Sequence, residues 1–425
     1  MANFKFIDLF CGIGAFHQAM KSLGGECVYA CDIDKDCRKT YEKNYGIVPD
    51  SDITKVQSED IPKFDVLCAG FPCQSFSKAG NRLGFSDSTK GTLFFDVVRI
   101  AKYHMPKYIL LENVRNLASH DNGNTWKVIY DTLCKIGYNL QKTPCLFSPH
   151  YIGIPQHRER VFIMAVRKDI GDIPEFCFNK NNIVQCSIDS VLQDDSEIEN
   201  LEHYQLHEEK IEWIELWNKF IRNVRYNSSL PSFPVWGAIL RICKTQNLEF
   251  DFWTREQWSY EPKWKRDFIN RNIELYKQNQ QFISRWLDDA DKCPLFDGTK
   301  MNFEWQAGVD VENPDIWDNI MQIRPSGLRV KPGTYFPALV AMNQTSIVGK
   351  RKRILTPREC ARIQSFPDDF VYDDKEAQAY KQFGNSINVE CAKLFAKFML
   401  GDEETRRKYS REVQFPDELI SNKLF

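Results

Sequence analysis

The sequence predicts an α/β protein: a doubly wound, mostly parallel sheet, with a second, smaller domain attached. Three features lead there. Apolar runs of strand length alternate with amphipathic helical stretches, as in "FKFIDLF", "AFHQAMKSLGG", "CVYACDID", "KDCRKTYEKNYG", "FDVLCAG", "GTLFFDVVRIAKYH" and "YILLENV". The strand-like runs are nearly continuous rather than alternating, which fits a sheet covered by helices on both faces. Farther along, the chain changes character, with nine of its ten tryptophans lying between Trp213 and Trp317. The expected division is a larger domain over 1–175 plus 376–425 and a smaller one over 176–375.

Composition agrees with two folded domains. At 425 residues the chain exceeds one small core, and 43% hydrophobic with 27% charged residues is ordinary globular usage. A net charge of −2 decides nothing about a polyanionic partner, because local placement of Lys and Arg matters more. Fourteen cysteines without a C-x-x-C pair, behind a start "MANFKFIDLF" that lacks a signal segment, indicate free intracellular thiols. No apolar run approaches the roughly 20 residues that cross a bilayer. The expectation is a protein without a membrane segment.

In a parallel sheet, ligands sit outside the carboxyl ends of the strands, so those ends are taken in order. The first strand ends in "DLFCGIGAF", where Gly12 and Gly14 let the backbone approach a nucleotide-like cofactor before a helix begins near Ala15. The spacing is G-x-G without the third glycine of the dinucleotide fingerprint, and it also suits a plain tight turn. The second strand ends in "CDID": Asp32 is placed to accept hydrogen bonds from ribose hydroxyls, and Asp34 to cap the next helix. In "SDITKV", Asp52 occupies another expected strand end, with a turn or cap role as its alternative. The following strand runs into "LCAGFPCQSFS". There Pro72 fixes the backbone and Cys73 emerges at the sheet edge, whereas most of the other thirteen cysteines read as buried and structural. The strand "YILLENV" brings Glu112 to the same edge, beside a thiol that becomes a nucleophile only as thiolate.

"DLFCGIGAF", "GFPCQSFS", "LLENV", "PQHRERVF", "RILTPRECARIQSFPDDF" and "QFGNSI" resemble, in order and separation, the conserved blocks of the bacterial DNA cytosine-5 methyltransferases. The resemblance covers roughly residues 4–170 and 350–398. It implies a Rossmann-like catalytic domain that binds S-adenosyl-L-methionine, and a smaller target-recognition domain. Phe10, Gly12 and Gly14 would contact the cofactor, Asp32 its ribose and Asp52 its adenine side. Ile33 and Ile53 would lie beside them, Pro72 would line the cofactor, and Asn385 would buttress the Pro-Cys loop. Cys73 would be the nucleophile, Glu112 would face the target base, and Arg158 and Arg160 would serve the same pocket. These residue types suit the chemistry, because carbon 5 of cytosine needs electrons pushed into the ring. A thiolate adding to carbon 6 does this, and an acid at ring nitrogen 3 eases the developing charge. Glu112 then needs a raised pKa, which an enclosed site supplies and the two arginines oppose. The base must leave the duplex to reach the thiol. "SKAGNRLGFSDSTKG" has the composition of a lid over it.

The region over 176–345 matches no block. "WKRDFINRN" and "SYEPKWKRD" mix basic and aromatic residues suited to phosphates and base edges, but helix-core packing is the expectation for most of the tryptophans. "HEEKIEWIELWNKFIRNVRY" reads as helix. The run "VGKRKRILTPRE" is expected either to contact phosphates or to form a solvated charge run. His203 and His207 stand at i, i+4 but lack cysteine partners, so no metal is expected. The leading expectation is a sequence-specific, monomeric, cytoplasmic enzyme acting on double-stranded DNA, paired with a separate restriction endonuclease. The alternatives are a transfer RNA cytosine methyltransferase and a nucleic-acid-binding protein with a relic pocket.

Overall fold

"FKFIDL" forms the strand around which the larger unit is organised. In the computed structural model, which describes residues 4–72, 93–179, 183–246, 260–341 and 345–410, this is β1 (Phe4–Leu9). Helix α1 (Ala15–Ser22), β2 (Gly25–Cys31), α2 (Lys35–Tyr45), β3 (Val66–Ala69), α3 (Leu93–His104), β4 (Tyr108–Val114), α4 (Asn124–Lys135), β5 (Tyr138–Leu140) and β6 (Cys145–Phe147) follow. A two-residue strand β7 (Gln156–His157) precedes β8 (Arg160–Arg167). The sheet order is β2-β1-β3-β4-β8-β5, with β6 also on β8. Strands β2, β1, β3 and β4 pair in parallel, and β8 runs antiparallel to β4, β5 and β6. Six of the seven strands therefore point one way, and β8 alone is reversed.

Alternation along the strands gives the sheet two apolar faces. Ile7, Leu9, Leu67, Ala69, Ile109 and Leu111 pack on α3 and α4 in one core. On the other face α1 packs against the helix Val389–Leu400, whose Phe395 stacks on Phe162 of β8 at 4.2 Å between ring centroids. The strand expected near Asp52 is a single bridge between Cys31 and Asp50, so the "FDVLCAG" strand is the third and "YILLENV" the fourth. Because the chain turns to β2 on one side of β1 and to β3 on the other, the carboxyl end of β1 is a topological switch point, where such sheets bind ligands.

The chain divides into residues 1–185 with 361–425, and residues 186–360. These limits fall inside the expected 176 and 375. Residues 361–375 group with the larger unit because Val371 exchanges hydrogen bonds with Asn44, and Phe366 and Phe370 pack on Phe383. The smaller unit is not only helical. A six-stranded sheet runs Arg353–Ile354, Ile347–Val348, Ile320–Arg324, Gly327–Lys331, Asn302–Trp305, Val235–Trp236. Helices Glu208–Asn223, Lys263–Gln278 and Gln280–Ala290 join its core. Glu208 and Glu209 suit the first turn of their helix, and Trp213, Trp217, Phe220 and Ile221 form its buried stripe. Trp213, Trp217, Trp286 and Trp305 are core residues, as expected for most of the tryptophans, whereas Trp264 is 59% exposed. Trp253 and Trp258 lie outside the described residues.

The basic run at 348–359 turns inward. Arg353 is fully buried, paired through both Nη atoms with Glu359 at 2.8 and 2.9 Å and through Nε with Asp195 at 2.9 Å. Arg351 pairs with Asp195, Lys350 with Asp318, and Lys352 lies over the Trp317 ring. Arg353 thus braces the smaller unit from inside, while Lys350 and Lys352 stay exposed. Arg353→Met leaves the buried Glu359 carboxylate uncompensated and should cost about 3–5 kcal/mol in urea unfolding. Lys350→Ala, at an exposed pair, should stay within about 0.5 kcal/mol.

Candidate active site

The site gathers at the sheet edge where β1 to β4 end and β8 begins. After β1 the chain turns through Phe10 (φ 56), Gly12 (φ 52) and Gly14 (φ 89), three residues in the left-handed region. The two glycines serve different ends. A Cβ on Gly12 would meet nothing within 4 Å, so the backbone there is open to a ligand. A Cβ on Gly14 would lie 2.2 Å from the Tyr45 ring, so that glycine makes room for protein rather than cofactor.

Asp32, one residue beyond β2, fixes the turn. Its Oδ2 accepts from the Gly12 N–H at 2.7 Å and its Oδ1 from the Asp34 N–H at 2.8 Å. Burial raises its pKa, while these two backbone bonds and Arg38 oppose the rise. Each oxygen keeps a second lone pair. Asp34 caps α2 as expected, accepting from the N–H groups of Asp36 and Cys37, and also pairs with Lys381 at 2.9 Å. Ile33 stands 80% exposed between the two aspartates, an apolar side chain presented at the same edge. Arg38 holds this corner by donating to the Asp32 and Ile33 carbonyls.

Asp52 takes its cap role. Its Oδ1 accepts from the Thr54 N–H and hydroxyl, and Lys55 lies 3.2 Å from Oδ2. The Thr54 bonds and Lys55 hold its pKa low. Ile53 is buried in the core, its carbonyl taken by Arg99. Both stay near Asp32 because the Asp32 N–H donates to the Asp50 carbonyl.

Beyond β3, Phe71 is buried and Pro72 exposed; Cys73 and the lid segment lie outside the described residues. The entry to that segment is held by Asn113, whose Nδ2 donates to the Phe71 carbonyl at 2.8 Å. Sequence reasoning passed over Asn113, although its place beside Glu112 in "LLENV" was a signal. Asn385 is exposed, and its side chain bonds to no described residue.

Glu112 is buried beneath this entry, its Oε2 3.8 Å from where a Gly70 Cβ would stand. Phe162 is its antiparallel partner and Arg160 the diagonal neighbour, which brings the Arg160 Nε to 3.0 Å from Oε1. Burial raises the Glu112 pKa, and the Arg160 and Arg158 charges act against the rise. The two arginines do different things. Arg158 is buried and donates from Nη2 to the carbonyls of Gly384 and Ser386 at 3.0 and 2.9 Å, gripping the turn that carries Asn385. Burial lowers its pKa to about 9, with Arg160 acting the same way and Glu112 opposing. Among the described residues no cluster of His, Cys, Asp and Glu is arranged to hold a metal ion.

The sequence has counterparts among known proteins. The family model for C-5 cytosine-specific DNA methylase matches residues 4–400, and the chain belongs to that family. It is a DNA cytosine-5 methyltransferase. It is 32% identical to Type II methyltransferase M.AluI of Cellulosimicrobium cellulans, over 91% of this chain and 90% of that one. Identity to Type II methyltransferase M.HhaI of Haemophilus parahaemolyticus is 31%, covering 93% and 94%. To Type II methyltransferase M.HpaII of Haemophilus parainfluenzae it is 32%, covering 94% and 89%. No helix among the described residues is long and apolar enough to cross a membrane.

Asn113→Ala frees the Phe71 carbonyl and loosens the backbone at Phe71 and Pro72. Single-turnover methylation should slow by about a hundredfold while the thermal midpoint moves little; a rate within twofold of wild type would remove Asn113 from the positioning of that loop.

Proposed function

We propose that the methyl donor is S-adenosyl-L-methionine, held at the carboxyl ends of β1 and β2, and that the acceptor is a cytosine flipped out of double-stranded DNA and attacked by Cys73. The observation that carries this reading is the open Gly12 corner, with the Asp32 carboxylate and exposed Ile33 on the same sheet edge as Pro72 and the Glu112–Arg160 pair. The residues fit the cofactor. The backbone at Phe10, Gly12 and Gly14 lets it come close, Asp32 retains lone pairs for ribose hydroxyls, and Ile33 offers an apolar face to the adenine. Asp52, Ile53, Pro72 and Asn385 complete the surroundings, Asp52 through the shape of its turn, since its carboxylate already caps that turn. When bound, the cofactor supplies an electrophilic methyl group.

The protein supplies the rest. The Cys73 thiolate bonds through sulfur to carbon 6 of the cytosine and pushes electrons toward carbon 5. Glu112, whose pKa burial raises, donates a hydrogen bond from its acid form to ring nitrogen 3 and eases the charge there. Arg160 orients the carboxyl group, and Arg158 acts through the 384–386 turn as a positioning residue. Once carbon 5 has gained the methyl group, its proton passes to water and the carbon–sulfur bond breaks, which returns the thiolate. The relatives' designation as Type II methyltransferases supports a role as the modification half of a restriction system; the reading extends to a separate nuclease, the bacterial cytoplasm and a monomer.

Bisulfite sequencing of plasmid DNA from cells expressing the chain should show methylated cytosine at one short motif, absent with Cys73→Ser. Unmethylated DNA in both would move the substrate to transfer RNA, and equal methylation in both would remove Cys73 from the chemistry. The pH dependence has a definite sign. A raised Glu112 pKa keeps the acid form above the range of a free glutamate, and activity falls as pH rises through that value. Arg160→Gln removes a charge that lowers this pKa, so the alkaline limb of the single-turnover rate should move to higher pH. A shift to lower pH would contradict the role given to Glu112.

A further inference from the structure

We infer that Tyr45, at the last turn of α2, is a positioning residue that sets cofactor affinity by bolting the Gly12–Gly14 turn in its open form. The inference rests on the reading that S-adenosyl-L-methionine binds at that turn. The Tyr45 hydroxyl donates to the Gly14 carbonyl at 3.0 Å and lies 3.4 Å from the Ile13 carbonyl. Its ring fills the space beside the Gly14 Cα that any side chain there would need. Gly14 is also the N-cap of α1, and it provides no side-chain cap of its own. The start of α1 and the turn before it are thereby tied to α2, a helix distant in sequence.

The ring is itself held. It stacks on His17 at 3.8 Å between centroids and 14° between planes, and the His17 Nδ1 is 2.7 Å from the Tyr41 hydroxyl. Burial lowers the His17 pKa to about 3, with Lys21 adding to the effect, so the imidazole is neutral at working pH and stacks without a charge to solvate. On the far side of the turn the Gly12 N–H is fixed by Asp32. A turn with left-handed residues at 10, 12 and 14 is held from both ends, by a carboxylate on one side and a phenol on the other. A lost phenol lets the turn relax, and the binding-competent form must then be recovered at the cost of affinity.

Two conservative variants separate positioning from general stability. Tyr45→Phe keeps the stacked ring and removes the bonds to the turn. Tyr41→Phe removes only the hydroxyl, whose bonds go to His17 and Cys27 outside the turn, and keeps the ring that packs on Cys11 and Tyr45. Isothermal titration with S-adenosyl-L-methionine should show Kd raised about fivefold in Tyr45→Phe and unchanged in Tyr41→Phe. Steady-state assays should show the rise in KM for the cofactor, with kcat within about twofold. An unchanged Kd in Tyr45→Phe, or an equal rise in both variants, overturns the inference while the cofactor reading stands. A wild-type chain that takes up no S-adenosyl-L-methionine overturns both.

Discussion

The site depends on one pairing, the buried Glu112 carboxyl with the half-buried Arg160 guanidinium. Glu112 can sit under the sheet edge only because β8 runs back along β4 and puts Arg160 diagonally across from it. A carboxyl group enclosed without any partner would be neutral over the whole working range. One with a full, tight pair would stay ionised and donate nothing. Here burial and the two arginines push in opposite directions, and the net shift is upward, which leaves a carboxyl able to donate. The reversed strand is therefore a chemical requirement as much as a topological detail. The same arrangement buries the Arg158 guanidinium, whose Nη2 donates to the carbonyls flanking Asn385.

What the sequence disclosed, and what it hid, follows from distance along the chain. Asp32, Asp34 and the Gly12 turn were legible because strand-end chemistry is local: the carboxylate closes backbone N–H groups two residues ahead and across one strand pair. Glu112 was legible for the same reason. The grip of Arg158 on residues more than two hundred positions away, and the Tyr45 ring against Gly14, were not, since nothing in the local pattern reports them. Two glycines in one short motif look equivalent on paper, and only the fold shows that one faces open space and the other an aromatic ring. Asp52 illustrates the opposite error. Its neighbourhood was read as a strand end, but a lone bridge at Asp50 does the pairing, and the aspartate then caps its own turn.

Charge was the least readable feature. The run from 348 to 359 has the composition of a surface patch, and Lys350 and Lys352 are exposed, yet Arg353 within it is an interior brace of the smaller unit. A planar guanidinium can be buried where a carboxylate meets it with two oxygens, as Glu359 does for Arg353. Thr356 and Gln193 N–H groups also donate to Glu359, so the carboxylate is nearly saturated. Composition counts charges and cannot see this pairing. The aromatic count misleads less, because large rings are likelier to fill a core than to line a surface, and four tryptophans do fill it.

On the reading proposed for the site, two different partners are held at one sheet edge on different supports. The cofactor side is built from short-range backbone bonds around Asp32, reinforced by α2 through Arg38 and Tyr45. The base side is built from side chains that the sheet brings together from β4, from β8 and from the returning 384–386 turn. Parallel strands give every loop on the first side the same starting edge, which is why the G-x-G turn, Asp32 and Pro72 converge without long-range design. The reversed strand adds the one thing parallel strands cannot, a cation entering from the opposite direction at the same edge. Methyl transfer to an unreactive carbon needs both, and the order β2-β1-β3-β4-β8 is the arrangement that puts them side by side.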